Sequence, residues 1–264
     1  MNNSKLNLGL SVVVLLCTGV VAGCGGTKVL KEPHPVQTTQ PLAAVSDQQV
    51  IATLDWVIVR GGPGTWAKNA DWDEYVLRVR NQSDQPLTVT QLAVVDSLDT
   101  RVETQSGRKE LVKGSKKTAR RYKESGIKVK AGRGAGTMLV AGAAVTALGV
   151  GAASASVYGA AMSGAATAGG AGVAAGGLLL LGPALAVGGI VRGVNNGKVN
   201  NQIELRQTLL PLAISADEER VINAFFPLAP SPKMVELTYV DATGEHRLLI
   251  DTSVALNGLH IESQ

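Results

Sequence analysis

The chain has two cysteines, Cys17 and Cys24, and no thiol anywhere beyond residue 24. Disulfide staples, Cys-ligated metal and a cysteine nucleophile are therefore excluded from everything downstream, where packing alone must hold a fold. Histidine is nearly as scarce, with only His34, His246 and His260. They form no HExxH pair, and no GxSxG turn occurs, so the zinc-protease and serine-hydrolase signatures are both missing. Gly132, Gly134 and Gly136 alternate like a phosphate loop but lack the Lys-Ser/Thr pair that would follow one, and backbone freedom explains them better. Asp71, Asp73 and Glu74 do not complete a calcium-loop spacing and read as a solvated acidic turn. No catalytic residue, metal ligand or cofactor is expected. Aromatic residues make up 3 % of the chain. Its tryptophans, Trp56, Trp66 and Trp72, cluster around Gly61-Gly62-Pro63-Gly64, and packing at one end of a β core is their expected use.

Charge is also missing, locally. Between Arg133 and Arg192 about sixty residues carry none, and more than half of them are Gly or Ala. Residues 134–192 have room for two helices, about 137–161 and 173–191, each long enough to cross a hydrocarbon core of about 30 Å. A backbone in hydrocarbon must satisfy its own hydrogen bonds, so an α-helical hairpin is the expected form. Its small residues suit close helix packing, with Gly132 and Gly136, and Gly172 and Gly176, at small-xxx-small spacing. The stretch is similar to the glycine-zipper segments of bacterial envelope proteins, and that likeness implies pairing of the arms or contact between copies.

The amino terminus carries an export pattern: Lys5, an apolar run over 8–21, then Val21-Ala22-Gly23-Cys24. Those four residues resemble the lipobox of bacterial lipoproteins. The resemblance implies cleavage after Gly23, acylation of Cys24 (palmitate among the acyl chains) and release of 1–23 as a signal peptide. Leu15 and Leu16 are too bulky to precede a cut at Cys17. Gly25 and Gly26 follow the cysteine where an inner-membrane retention signal would have Asp, which implies the outer membrane. Residues 24–50, with Pro33, Pro35 and Pro41, read as a flexible tether.

Two stretches alternate at period two. In 51–105, Trp56, Ile58, Tyr75, Leu77 and Val79 face a core while Arg78 and Arg80 face water, and a phase slip near Gln91 predicts a bulge. In 203–264, loose alternation over 203–214 precedes strands at 220–226 and 235–239, and a hairpin turn at 241–244. Neither half has enough strands to bury two faces alone. The expected fold is mainly β: a discontinuous immunoglobulin-like β-sandwich interrupted by the Gly/Ala-rich helical hairpin, with two separate small domains as the alternative.

Between the first half and the hairpin, a basic linker at 106–133 carries eleven Lys or Arg against Glu110 and Glu124. Lys116, Lys117, Arg120, Arg121, Lys128, Lys130 and Arg133, with Arg192 at the far end of the hairpin, are expected at an anionic membrane surface. Export argues against nucleic acid as the partner. The expected whole is a non-enzymatic lipoprotein, exported through the inner membrane and lipid-anchored to the outer. Its β part would bind an envelope protein, and its hairpin would add a second membrane attachment and a homo-oligomer contact. The alternative is a membrane-perturbing or pore-forming oligomer of hairpins. A lipid anchor plus an inserted Gly/Ala hairpin also resembles, in plan only, surface-exclusion lipoproteins of conjugative plasmids.

Overall fold

The computed structural model describes residues 27–33, 40–136 and 196–262. The signal peptide, Val21, Ala22, Gly23 and Cys24, the hairpin beyond Gly136 with Gly172 and Gly176, and Arg192 lie outside the described residues. The described chain is mainly β with antiparallel sheets.

The first sheet has the order β2-β3-β5-β9, formed by Ala43–Ser46, Val50–Ile58, Trp72–Asn81 and Glu219–Pro227. In the second, β6 (Leu87–Val95) pairs on one side with β10 (Met234–Asp241), which in turn pairs with β11 (Gly244–Asp251). On its other side β6 carries two short strands, β7 (Arg101–Glu103) and β8 (Leu212–Ile214). A two-stranded ladder joins β1 (Lys28–Val29) to β4 (Ala67–Lys68). Strands from before residue 137 and after residue 195 thus pair in both sheets. Their inward side chains make one buried cluster that includes Leu54, Leu77, Leu92, Phe226, Leu237 and Ile250.

Local sequence accounts for the registers. Leu77 and Val79 of β5 stand opposite Leu54 and Ala52 of β3, so apolar side chains share the inner face. The phase slip near Gln91 is a bulge: Gln91 pairs with Thr238 and Val89 with Tyr239, leaving Thr90 as the extra residue. A second irregularity, between Leu54 and Trp56, was not legible. It puts Val57 opposite Tyr75 and Ile58 opposite Glu74, so Ile58 is only half-buried, packing on the main core while also reaching the outer side beside Glu74.

Phe225 and Phe226 explain why that outer side is covered. Successive strand residues point to opposite faces. Phe226 meets Tyr75 edge-on at 5.0 Å in the core, while Phe225 meets Trp66 edge-on at 6.4 Å outside it. Trp66, Trp72 and Phe225 form a second cluster with Leu111, Val199 and Ile203. These last three come from two helices, α1 (Arg108–Glu124) and α2 (Asn196–Arg206), laid over the sheet. Burying each ring is worth about 2 kcal/mol, so an uncovered outer face would be costly. The tryptophans therefore do not simply close one end: Trp66 and Trp72 lie under the helices, and Trp56 joins the main core.

Three expectations need correction. The 106–133 stretch is not a linker throughout, since 17 of its residues are α1. Residues 203–206 belong to helix α2, so the loose alternation there was misread as strand. The 24–50 stretch is not a free tether either, because both β1 and β2 lie within it and both are paired.

Candidate functional site: a basic helix face beside the uncharged stretch

Helix α1 owes its position to a buried line of Leu111, Ser115, Thr118 and Tyr122, at the i, i+4, i+7, i+11 spacing of one helix face. Only two of the four are apolar or aromatic. The other two are small hydroxyls, and hydrogen bonds offset the burial of Ser115. Ser115 Oγ donates to the Leu111 carbonyl at 2.9 Å and to the Asp71 carbonyl at 2.5 Å, and accepts from the Leu228 amide at 2.9 Å. Gly114 lets the helix approach Pro227, whose ring would lie 2.5 Å from any added Cβ. At the far end Tyr122 Oη lies 2.8 Å from Ser97 Oγ and donates to the Pro230 carbonyl at 3.2 Å. Burial above all holds that hydroxyl protonated past its usual range.

The opposite face is basic. Lys109, Lys113, Lys116, Arg120 and Lys123 follow the same periodicity half a turn away, with Lys117 beside them, and all six are exposed. None of the six joins an ion pair with another described residue. Glu110 and Glu124 are the acidic exceptions on the exposed side. Arg121 differs from its neighbours: its guanidinium pairs with Asp96, whose side chain is 0 % exposed. Asp96 also accepts from the amides of Leu98 and Thr100 at 3.0 Å. Arg121 is thus part of the fold. Lys128 and Lys130 both pair with Glu262, at 2.6 and 3.7 Å, while remaining exposed, and Arg133 is exposed.

Beyond α1 the chain is clamped before it reaches residue 137. Val129 bridges to Ile261, Lys130 N–H donates to the His260 carbonyl, and His260 N–H donates to the Arg133 carbonyl. Gly132 N–H donates to His260 Nδ1 at 3.0 Å, and His260 Nε2 lies 2.7 Å from Asp73 Oδ2 with both side chains at 0 % exposure. An imidazole beside a carboxylate is half of a familiar catalytic arrangement. Here the backbone amide occupies Nδ1, which fixes the proton on Nε2, so neither nitrogen is free to act as a base. Gly132, at φ +78°, packs so closely that an added Cβ would lie 1.9 Å from the Arg60 carbonyl, and Gly136 has open space. Both sit in a turn rather than a helix, which corrects the helix-packing role expected of them.

The small cavity beside Trp66, Trp72 and Glu74 has about 10 Å³ of free volume, room for one water. Glu74 is held there by Trp66 Nε1 at 2.7 Å and by Arg206, whose Nη2 and Nε lie 2.8 and 3.0 Å from Oε1. Among the described residues no group of three or more His, Cys, Asp or Glu could hold a metal ion. No described helix is long and apolar enough to cross a membrane. No protein-family model matches the chain, and no curated protein or solved structure matches it.

Proposed function

We propose that the chain is a non-enzymatic outer-membrane lipoprotein, acylated at Cys24, with a second membrane attachment through the 134–192 stretch, uncharged up to Val191. The two antiparallel sheets around one core are read as an immunoglobulin-like sandwich, interrupted by that stretch as a helical hairpin. The sandwich offers its exposed strands to an envelope protein, and the hairpin supplies a contact between copies.

The observation that carries this reading is the basic face of α1. Six exposed cations lacking ion pairs with described residues cover a helix whose chain leads, within 13 residues, into a run with no charge at all. Near an anionic bilayer each such cation contributes about 1 kcal/mol. A hydrophobic segment flanked by these charges and preceded by an acylated cysteine provides the several attachments that stable anchoring requires.

Growth with labelled palmitate followed by separation of the envelope membranes tests it. The expected result is label on the mature chain, its loss in Cys24→Ser, and wild-type protein at outer-membrane density. An unlabelled chain that leaves the envelope with the soluble fraction would sink the proposal.

A further inference from the structure

The attachment point is not on a loose leash. Thr27, three residues after Cys24, donates from Oγ1 to the Asn69 carbonyl at 3.4 Å and accepts from Arg108 Nη2 at 3.3 Å. Lys28 and Val29 then pair with Lys68 and Ala67, and Leu30 N–H donates to the Trp66 carbonyl. Covalent geometry alone limits Cys24 to about 10 Å from Thr27. Arg108 is the first residue of α1, and its backbone N–H also donates to Asn200 Oδ1 of α2, four residues after α2 begins at Asn196. Thr27, three residues after the proposed acylation site, the start of the basic helix and the return of the chain from the uncharged stretch therefore meet at one place.

The departure of the chain into that stretch borders the same helix. Gly132 packs on the Arg60 carbonyl, Arg60 pairs with Asp71 at 2.5 Å, and the Asp71 carbonyl accepts from Ser115 of α1. The surface around these points has the composition of a membrane contact. The α1 cations face away from the sheet. Leu205 on the outward side of α2 and Leu209 just beyond it are the most exposed large apolar side chains among the described residues, at 71 % and 75 %. Glu110, Glu124 and Glu204 are the acidic groups on these two helices, against Lys109, Lys113, Lys116, Lys117, Arg120 and Lys123. Cations over anionic headgroups with a few leucines at their level is the chemistry of an interfacial helix surface.

We infer that the α1–α2 face lies flat against the anionic leaflet that holds the lipid, so the protein has one fixed orientation on the membrane and the sheet carrying β10 and β11 points away from it. This orientation rests on the lipoprotein reading above. It leaves the outer side of β11, with Glu245, Arg247 and Leu249 exposed, as the surface free to meet another protein.

Full-length acylated protein reconstituted in phosphatidylethanolamine vesicles containing phosphatidylglycerol provides the test. Cys24 is blocked by lipid and Cys17 is removed with the signal peptide, so a single introduced thiol can be labelled with a fluorophore. Lys116→Cys and Arg247→Cys place it on opposite sides of the domain. Two stacked sheets and a helix layer separate the two sites by on the order of 20 Å. Nitroxide headgroup lipid should quench the label at 116 several-fold more than the label at 247. Omitting phosphatidylglycerol, or adding Lys113→Glu, Lys117→Glu and Arg120→Glu, should remove that difference while the protein stays bound. Equal quenching at both sites, or stronger quenching at 247, with the protein retained on vesicles would overturn the orientation and leave the lipoprotein reading standing. Protein that carries no acyl chain and does not stay with the vesicles would overturn both.

Discussion

His260 Nε2 and Asp73 Oδ2 lie 2.7 Å apart in the interior, which ties the carboxyl-terminal segment to β5, while Nδ1 of the same imidazole accepts from Gly132 in the turn preceding the uncharged stretch. His260→Ala leaves Asp73 buried beside Tyr75, whose hydroxyl has no partner among the described residues. Removing one member of so buried a pair should cost about 3 kcal/mol or more, read as a lower denaturation midpoint. Amide exchange over residues 128–136 should quicken with it. An unchanged midpoint would show that the pair does not hold the clamp.

The same pair sets a pH dependence. Burial, opposed by His260, raises the Asp73 pKa above its ordinary 3.8. The folded chain then holds the Asp73 proton more tightly than the unfolded chain does. That contribution is complete below about pH 4 and declines as pH rises through the folded value. Asp73→Asn removes the titration, so its stability relative to wild type should improve from about pH 4 upward. Melting curves across that range check it, and a variant whose stability relative to wild type stays flat or falls as pH rises would refute the assignment.

Asp241 works in the opposite direction. Its Oδ1 accepts from Thr243 Oγ1, the Thr243 and Gly244 amides and His246, and the Thr243 hydroxyl above all, with the Thr243 amide and His246, lowers its pKa to about 2. Its contribution is complete above about pH 4 and is lost as pH falls toward 2. Asp241→Ala should therefore narrow its stability deficit over that interval. A deficit independent of pH would place the loss in packing instead.

Arg120 and Arg121 are adjacent and should behave differently. Arg120→Ala should change stability by less than about 0.5 kcal/mol, as exposed unpaired sites do, yet weaken binding to anionic vesicles. Arg121→Ala strands the buried Asp96 and should cost about 2 kcal/mol or more. Thermal melts and vesicle sedimentation of the two variants, run side by side, would separate a surface charge from a structural one.

Gly132→Ala combines a left-handed backbone with a 1.9 Å approach of the new methyl to the Arg60 carbonyl, whereas a Cβ added at Gly126, at φ +76°, would meet nothing within 4 Å. Gly126→Ala should cost about 1 kcal/mol from backbone strain alone. Gly132→Ala should cost clearly more, because backbone must move to admit the methyl. Equal midpoints would mean that the turn adjusts freely.

These contrasts show which parts of the structure were readable in advance. The inward lines Tyr75, Leu77 and Val79, and the slip at Thr90, follow from period-two alternation, because one buried face imposes it. The irregularity after Leu54 has no glycine or proline to mark it, so the placing of Ile58 beside Glu74 as well as against the core does not follow from alternation. Helix α1 was hidden by its own buried side: Ser115 and Thr118 look solvated in a sequence, and only the carbonyl of Asp71 and the amide of Leu228 make Ser115 a core residue. The basic face of α1 was visible as composition. Its separation from Arg121 was not, since that depends on Asp96, 25 residues earlier. The clamp joins Gly132 to His260 across 128 residues, and no local pattern announces a contact of that range.

The pairing of β5 with β9 also bears on time. Trp72 stands opposite Pro227, so an inner strand of the first sheet lacks one neighbour until a strand about 150 residues further along has emerged. Partners this distant make folding slow, because closing the long loop must precede any gain from the contacts. A chain of this design leaves one edge of β5 unpaired while the rest is being made. For a protein threaded across a membrane, as proposed here, late closure keeps the moving chain from jamming in the channel.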